Sequence, residues 1–185
     1  MDREYNAPRQ PMTIDVLKEN LWSQFAASID MLKNAIVRQP DERWFADKKF
    51  FYMSYHVLFF LEIYLTFPAP EDYKPKLPYR SVDLDMLPAE AIDDLLPENM
   101  YSKQEILGYV DTCREMCRKL IAGLTEEKIR NERWMKDGRS FAILEMMMYN
   151  MRHVQHHAAQ LNMMLRQSVN DAPRWVSRPK DPLSA

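Results

Sequence analysis

Four stretches of this chain repeat apolar residues at steps of three and four, and that rhythm constrains the fold more than anything else in the sequence. The third is the cleanest. Ile106, Val110, Cys113, Cys117, Leu120 and Leu124 step 4-3-4-3-4, which sets all six on one stripe of an α-helix. Ser102-Lys-Gln-Glu105 in front of it has the capping-box pattern. The first stretch runs from about Thr13 to Arg38, with Ile14, Leu17, Leu21, Phe25, Ile29, Leu32 and Ile36 in line and Pro40 behind. The second runs from Asp47, an N-cap residue, to Phe67, where Pro68 stops it. A short helix is expected from Thr125. After the turn Lys136-Asp-Gly-Arg139, Ser140 is expected to cap a last helix reaching about Gln167, striped by Met147, Met151, Val154, Ala158, Leu161 and Leu165.

Composition closes off the alternatives. At average usage about 13 glycines would be expected; the chain has 3. Gly108, Gly123 and Gly138 supply no GxGxxG turn and no phosphate loop, and β architectures that need glycine at many turns are disfavoured. The 185 residues suit a single domain spanning 1–185. A net charge of −2 gives no bulk attraction to nucleic acid. The segment MDREYNAPRQ has no apolar run and does not read as a secretory signal. Two cysteines make no disulfide framework. A cytoplasmic location is expected. Phe50 to Phe67 is mostly apolar, but Ser54, His56, Glu62 and Thr66 lie inside it. A buried helix, not a membrane span, is therefore expected.

Between the second and third helices lies a long connection, residues 68–100. It holds six of the 12 prolines, and eight acidic residues against three basic ones. Its length permits a crossover, and it reads either as a lid over a site or as a solvated loop. Pro88 is placed to open a short helix through Leu96. The tail, residues 168–185, is polar and expected on the surface.

All four histidines fall on two helices. His56 is near the middle of the second; His153, His156 and His157 are in the middle of the fourth. His153 and His157, four apart, can point at one ion, and His156 is also near His153 in angle. His56 from a facing helix would add a ligand from another direction. Three imidazoles with open positions describe a catalytic metal site rather than a closed structural one. The competing reading is histidines that only pack. H-E-x-x-H is absent, because Val154 follows His153.

The segment His153-Val-Gln-His156-His157-Ala-Ala-Gln160-Leu161 resembles the signature of DinB-like proteins, roughly H-x-x-H-H-R-G-Q-[LI], and His56 sits where that family carries its other marker histidine. The likeness extends to layout over about Thr13 to Gln167. It implies an all-α four-helix bundle with a long crossover connection between helices 2 and 3, often a homodimer. It also implies a divalent metal, zinc or nickel, on His56, His153 and His157. Characterised relatives include thiol-dependent S-transferases and isomerases that use low-molecular-weight thiols on small molecules; other members have no established activity. A metal on three neutral ligands would activate a bound thiol or water, so S-transfer and hydrolysis both stay open. So does a non-catalytic metal-binding or helical interaction protein. Ala158-Ala159 stand where the family often has Arg-Gly.

Tyr52, Glu145, Tyr149, His156 and Gln160 are candidates to orient the imidazoles or line a pocket, with core-edge packing as the alternative for each. Glu62 falls about 120° around its helix from the ligand side, as an external acid or a solvent-facing residue. Cys113 and Cys117 are expected as buried thiols without a bridge. The methionines Met146 to Met148, Met151, Met163 and Met164 are expected as gap-filling core.

Overall fold

The computed structural model describes residues 13–67, 73–136 and 138–183. The N-terminal MDREYNAPRQ, the acidic Glu71 and Asp72 of the connection, Asp137 of the expected turn and the last two residues of the tail lie outside the described residues.

Four long helices carry the stripes: α1 (Ile14–Arg38), α2 (Lys48–Leu65), α3 (Lys103–Ala122) and α5 (Ile143–Val169), with the short α4 (Glu126–Asn131) before the last. Their ends follow local chemistry. The Thr13 side chain accepts from the Val16 N–H, Asp47 from Phe50, and Thr125 from Lys128. Ser102 and Glu105 form a full capping box. The stripe residues Phe25, Ile29, Leu32 and Ile36 of α1 are buried, as are Ile106, Val110, Cys113 and Cys117 of α3 and Val154, Ala158, Leu161 and Leu165 of α5.

α1 and α2 each pack on both α3 and α5, so α1 stands diagonally from α2 across the bundle. Lys103 Nζ donates to the Gln39 carbonyl at 2.7 Å and Trp44 Nε1 to the Tyr101 carbonyl at 2.9 Å. Those contacts place the starts of α2 and α3 at the same end. The two helices are therefore parallel neighbours, and the connection must return along the bundle, about 27 Å for the 18 residues of α2. This is the crossover. It is held on the way: Tyr55 Oη donates to the Leu77 carbonyl (2.7 Å) and Tyr101 Oη to the Pro78 carbonyl (2.8 Å). β1 (Tyr79–Ser81) then pairs antiparallel with β2 (Leu95–Pro97), whose Leu96 is buried.

Two local expectations fail. No helix follows Pro88; only a turn forms there (Ala91 N–H to the Pro88 carbonyl, 2.9 Å) before the chain extends into β2. Strand pairing takes the residues that a helix would have used. Ser140 does not cap the last helix either. It lies in β4 (Arg139–Ala142), opposite Met135 of β3 (Arg133–Lys136). The hairpin turns at Gly138, whose φ of 74° suits glycine. α5 begins three residues later than Ser140, where the Glu145 carboxylate reaches back to the Ala142 N–H at 3.4 Å.

α5 ends at Asn170, in the left-handed region at φ 54°. The chain beyond it runs over α1 and α3. Trp22 Nε1 donates to the Asp181 carbonyl at 2.9 Å, and Arg114 bridges Asp30 (2.8 Å) and Asp181 (2.6 Å). Arg118 also pairs with Asp181, and both guanidiniums lie over the Trp22 ring at 4.9 and 4.2 Å. No helix among the described residues is long and apolar enough to cross a membrane. Cys113 and Cys117 are buried free thiols, raised well above the ordinary thiol range by burial.

Candidate metal centre

Residues four apart on a helix stand above one another. On α2 this makes a column of His56, Phe60 and Tyr64; on α5, a column of Tyr149, His153 and His157. The two columns face each other in antiparallel register. Ring centroids are 4.8 Å apart for His56 and His157, 5.7 Å for Phe60 and His153, and 5.4 Å for Tyr64 and Tyr149. At the histidine level Nε2 of His153 lies 3.3 Å from Nε2 of His56 and 3.1 Å from Nε2 of His157. The three rings form the one such ligand-bearing group of His, Cys, Asp and Glu among the described residues, with ligand atoms all within 4.8 Å of one another.

The far nitrogens decide what those Nε2 atoms carry. His56 Nδ1–H donates to Asp93 Oδ2 at 2.7 Å, and His157 Nδ1–H donates to Gln160 Oε1 at 2.7 Å. In the neutral rings both protons are thus on Nδ1, and both Nε2 atoms present lone pairs. His153 Nδ1 is buried without a hydrogen-bond partner among the described residues. A single proton on His153 Nε2 can satisfy one of its two contacts and leaves the other as lone pair against lone pair. Protonating more rings is unfavourable. Burial, followed by the neighbouring imidazoles, pushes His153 down to about 3; burial and His56 push His157 down to about 4, against a smaller upward pull from Gln160.

A divalent cation would resolve that frustration: with the His153 proton moved to Nδ1, all three Nε2 atoms can offer it a lone pair. At Zn–N of about 2.0–2.1 Å, tetrahedral angles separate ligand nitrogens by about 3.3–3.4 Å, and octahedral angles by about 2.9 Å. The observed 3.1 and 3.3 Å lie within this span. The residues present fit the ion.

A family model described as the DinB superfamily matches residues 1–161. The chain belongs to the DinB superfamily. Neither a curated protein nor a solved structure matches it. At the two alanines of the His153–Leu161 segment, Ala158 is fully buried in the bundle core and Ala159 beside it is exposed.

The structure sorts the other sequence candidates of this DinB chain. Gln160 orients His157. His156 is exposed, with its ring 5.0 Å from that of His157. Tyr149 stands one turn from His153, against Tyr64 and Phe141. Glu145 is not at the centre; it lies two turns before His153 and caps α5. Tyr52 stands one turn before His56 on α2, with its ring packed on Phe51 at 5.6 Å. Glu62 is neither an external acid nor solvent-facing. It is buried, accepts from Tyr109 Oη, and accepts from the Lys76 backbone N–H at 3.1 Å. It therefore ties the connection to α2 and α3. Asp93 was missed as a site residue. Its one sequence signal was membership of the acidic connection, a segment long enough to cover a site. Its second oxygen accepts from the Leu95 N–H at 3.1 Å, which fixes the carboxylate toward His56. Of the methionines, Met146 and Met147 are core, while Met148 and Met163 are more than half exposed.

Proposed function

We propose that this protein is a divalent-metal-dependent enzyme, loaded with zinc or nickel through Nε2 of His56, His153 and His157, that transfers a low-molecular-weight thiol to a small electrophile or hydrolyses a small molecule. One observation carries the reading: Nε2 of His153 lies 3.1 and 3.3 Å from Nε2 of His157 and of His56, with the ligand atoms of all three rings within 4.8 Å of one another, while the Nδ1 protons of His56 and His157 are committed to Asp93 and Gln160. The neutral ligand set would leave the ion its full charge, so a bound thiol or water becomes a nucleophile at neutral pH.

The chain's own residues supply the rest. Asp93 holds the proton of His56 on Nδ1 and aims the ring. Gln160 does the same for His157. His153 is oriented by packing between Phe60 and Tyr64. The aromatic columns keep the lower side of the centre dry, which strengthens every charge interaction there. Asp93 is one-quarter exposed, so the centre lies beneath the connection, at the border of solvent.

Purified protein should carry about one zinc or nickel per chain, or take one up on incubation, and His157→Ala should lose it. A metal content near zero in the intact protein, unchanged by incubation, overturns the reading. Conjugation of a thiol to an electrophile, or hydrolysis, should then disappear on chelation and return with metal. A loaded protein inert in both assays would be the non-catalytic metal-binding relative.

A further inference from the structure

The two columns continue below the histidines into a feature the metal reading leaves unused. Tyr64 lies eight residues from His56, about 12 Å along α2. There the β3–β4 hairpin folds against the α2–α5 seam and closes a cavity of about 260 Å³. Five aromatic residues line it, Phe60 and four whose rings form a circuit. Centroids are 5.4 Å apart for Tyr64 and Trp134, 6.4 Å for Trp134 and Phe141, 6.0 Å for Phe141 and Tyr149, and 5.4 Å for Tyr149 and Tyr64. The Trp134 indole N–H is spent on the Ile63 carbonyl at 3.3 Å, so that ring offers its apolar surface. Met146 lies beneath, buried. One charged side chain lines the cavity, the exposed Arg139 of β4. No carboxylate among the described residues lies within salt-bridge distance of it. On the other side the Tyr64 ring meets His153 at 6.4 Å.

Each property selects the ligand. The volume is below the about 300–1,000 Å³ of drug-sized pockets and admits something near a single ring. Aromatic walls favour a planar π-system through edge and face contacts. A guanidinium at the rim favours a carboxylate, which it can grip with two parallel N–H donors. We infer that this slot binds a small planar carboxylate, an aryl or conjugated carboxylic acid, with its ring among Tyr64, Trp134, Phe141 and Tyr149 and its anionic end on Arg139. No histidine among the described residues lines the slot, but the Phe60 and Tyr64 rings of its wall pack on His153 at 5.7 and 6.4 Å, so the slot adjoins the proposed metal centre; only that link rests on the function proposed above.

The test uses the full chain, chelated and zinc-loaded, titrated with benzoate, with neutral benzamide and with non-planar cyclohexanecarboxylate, followed by Trp fluorescence and calorimetry. Benzoate should bind at least tenfold tighter than either control, in both metal states. Arg139→Gln should abolish the margin over benzamide while leaving zinc uptake intact, and Tyr64→Ala should weaken all three probes. Equal binding of benzoate and benzamide, or an unchanged Arg139→Gln, overturns the assignment. So does benzoate binding that vanishes on chelation, which would put the carboxylate on the metal. Perturbation of Met148 and Met151 methyl resonances without a change at Trp134 also overturns it, by moving the ligand to the wider groove between α1 and α5. A chain that takes up no metal yet keeps the Arg139-dependent preference would sink the metalloenzyme reading and leave the slot standing.

Discussion

Replacing Asp93 by Asn should weaken zinc binding by about 30-fold while leaving the fold intact. The side chain keeps its size, and the pairing of β1 with β2 does not use it. What changes is the acceptor for His56 Nδ1–H, now a 2.7 Å charge-assisted bond. Removing an outer partner of a metal-bound histidine typically costs 10–100-fold in affinity, or about 1.4–2.7 kcal/mol. The structure places this pair within that range rather than below it. The side chains of His56 and Asp93 are 12% and 24% exposed, so solvent screens the pair little, and the Leu95 N–H fixes the carboxylate. The exposure that remains argues against the top of the range. A figure near 2 kcal/mol follows. Competition with a chromophoric chelator at pH 7 reads it directly, and the urea midpoint of the metal-free protein controls for folding. An Asp93→Asn protein within threefold of the parent for zinc would refute the claim that the connection orients a ligand. Asp93→Glu is a second check, since it restores the charge but displaces it by a methylene; it should recover only part of the loss.

Three further outcomes can be checked. His153 and His157 are held below the unfolded histidine value of 6.5, so below pH 6.5 the unfolded chain binds more protons than the native one. Metal-free protein should therefore be fully stabilised by these rings above pH 6.5 and lose about 2 kcal/mol per ring, or about 4 kcal/mol for the two, by pH 5; urea midpoints that stay level between pH 7 and 5, or that fall equally in His153→Leu, contradict this. Glu62→Ala strands Tyr109 Oη and the Lys76 N–H in the interior; at about 3 kcal/mol for bonds to a charged acceptor and about 2–4 °C per kcal/mol, melting should drop by about 6–12 °C, and a drop under 2 °C would deny Glu62 its anchoring role. Asp181→Ala frees the tail from Arg114 and Arg118, so trypsin should cut after Arg174 faster than in the parent, with zinc affinity unchanged; unaltered cleavage would mean that the other tail contacts suffice.

The helices were legible because each carries its own stripe and its own cap. Thr13, Asp47, Ser102 and Thr125 announce helix starts by local chemistry, and the structure uses all four. Ser140 looked equivalent. It is a strand residue because Arg133–Lys136 and Arg139–Ala142 pair across Gly138, and pairing is a relation between segments that no single segment displays. The same holds for Asp93 and Glu62. Both are ordinary acidic residues in the sequence. One becomes the partner of His56 and the other a buried anchor only because the crossover lays residues 73–97 along α2. The histidine cluster was partly legible for the opposite reason: His153 and His157 share a face by helical geometry alone, while His56 required knowing that α2 and α5 are antiparallel neighbours.

The crossover also explains why an acidic, proline-rich connection is compatible with an ordered site. Its fixed points are spread along its length: Glu62 takes the Lys76 N–H, Tyr55 and Tyr101 take up the Leu77 and Pro78 carbonyls, and β2 buries Leu96. Asp93 follows from those anchors, two residues before β2. Orienting His56 therefore costs little additional ordering, since the carboxylate is carried by a segment already held at both sides. By linkage, whatever binds the three Nε2 atoms must in turn favour the docked connection, because a ligand that prefers an oriented His56 prefers the state in which Asp93 is in place. The coupling is bounded by what Asp93 contributes, about 2 kcal/mol, or some 30-fold in the opening equilibrium of the segment. It is large enough to appear as slowed exchange of the Leu95 amide on adding zinc, and too small to unfold the connection in its absence.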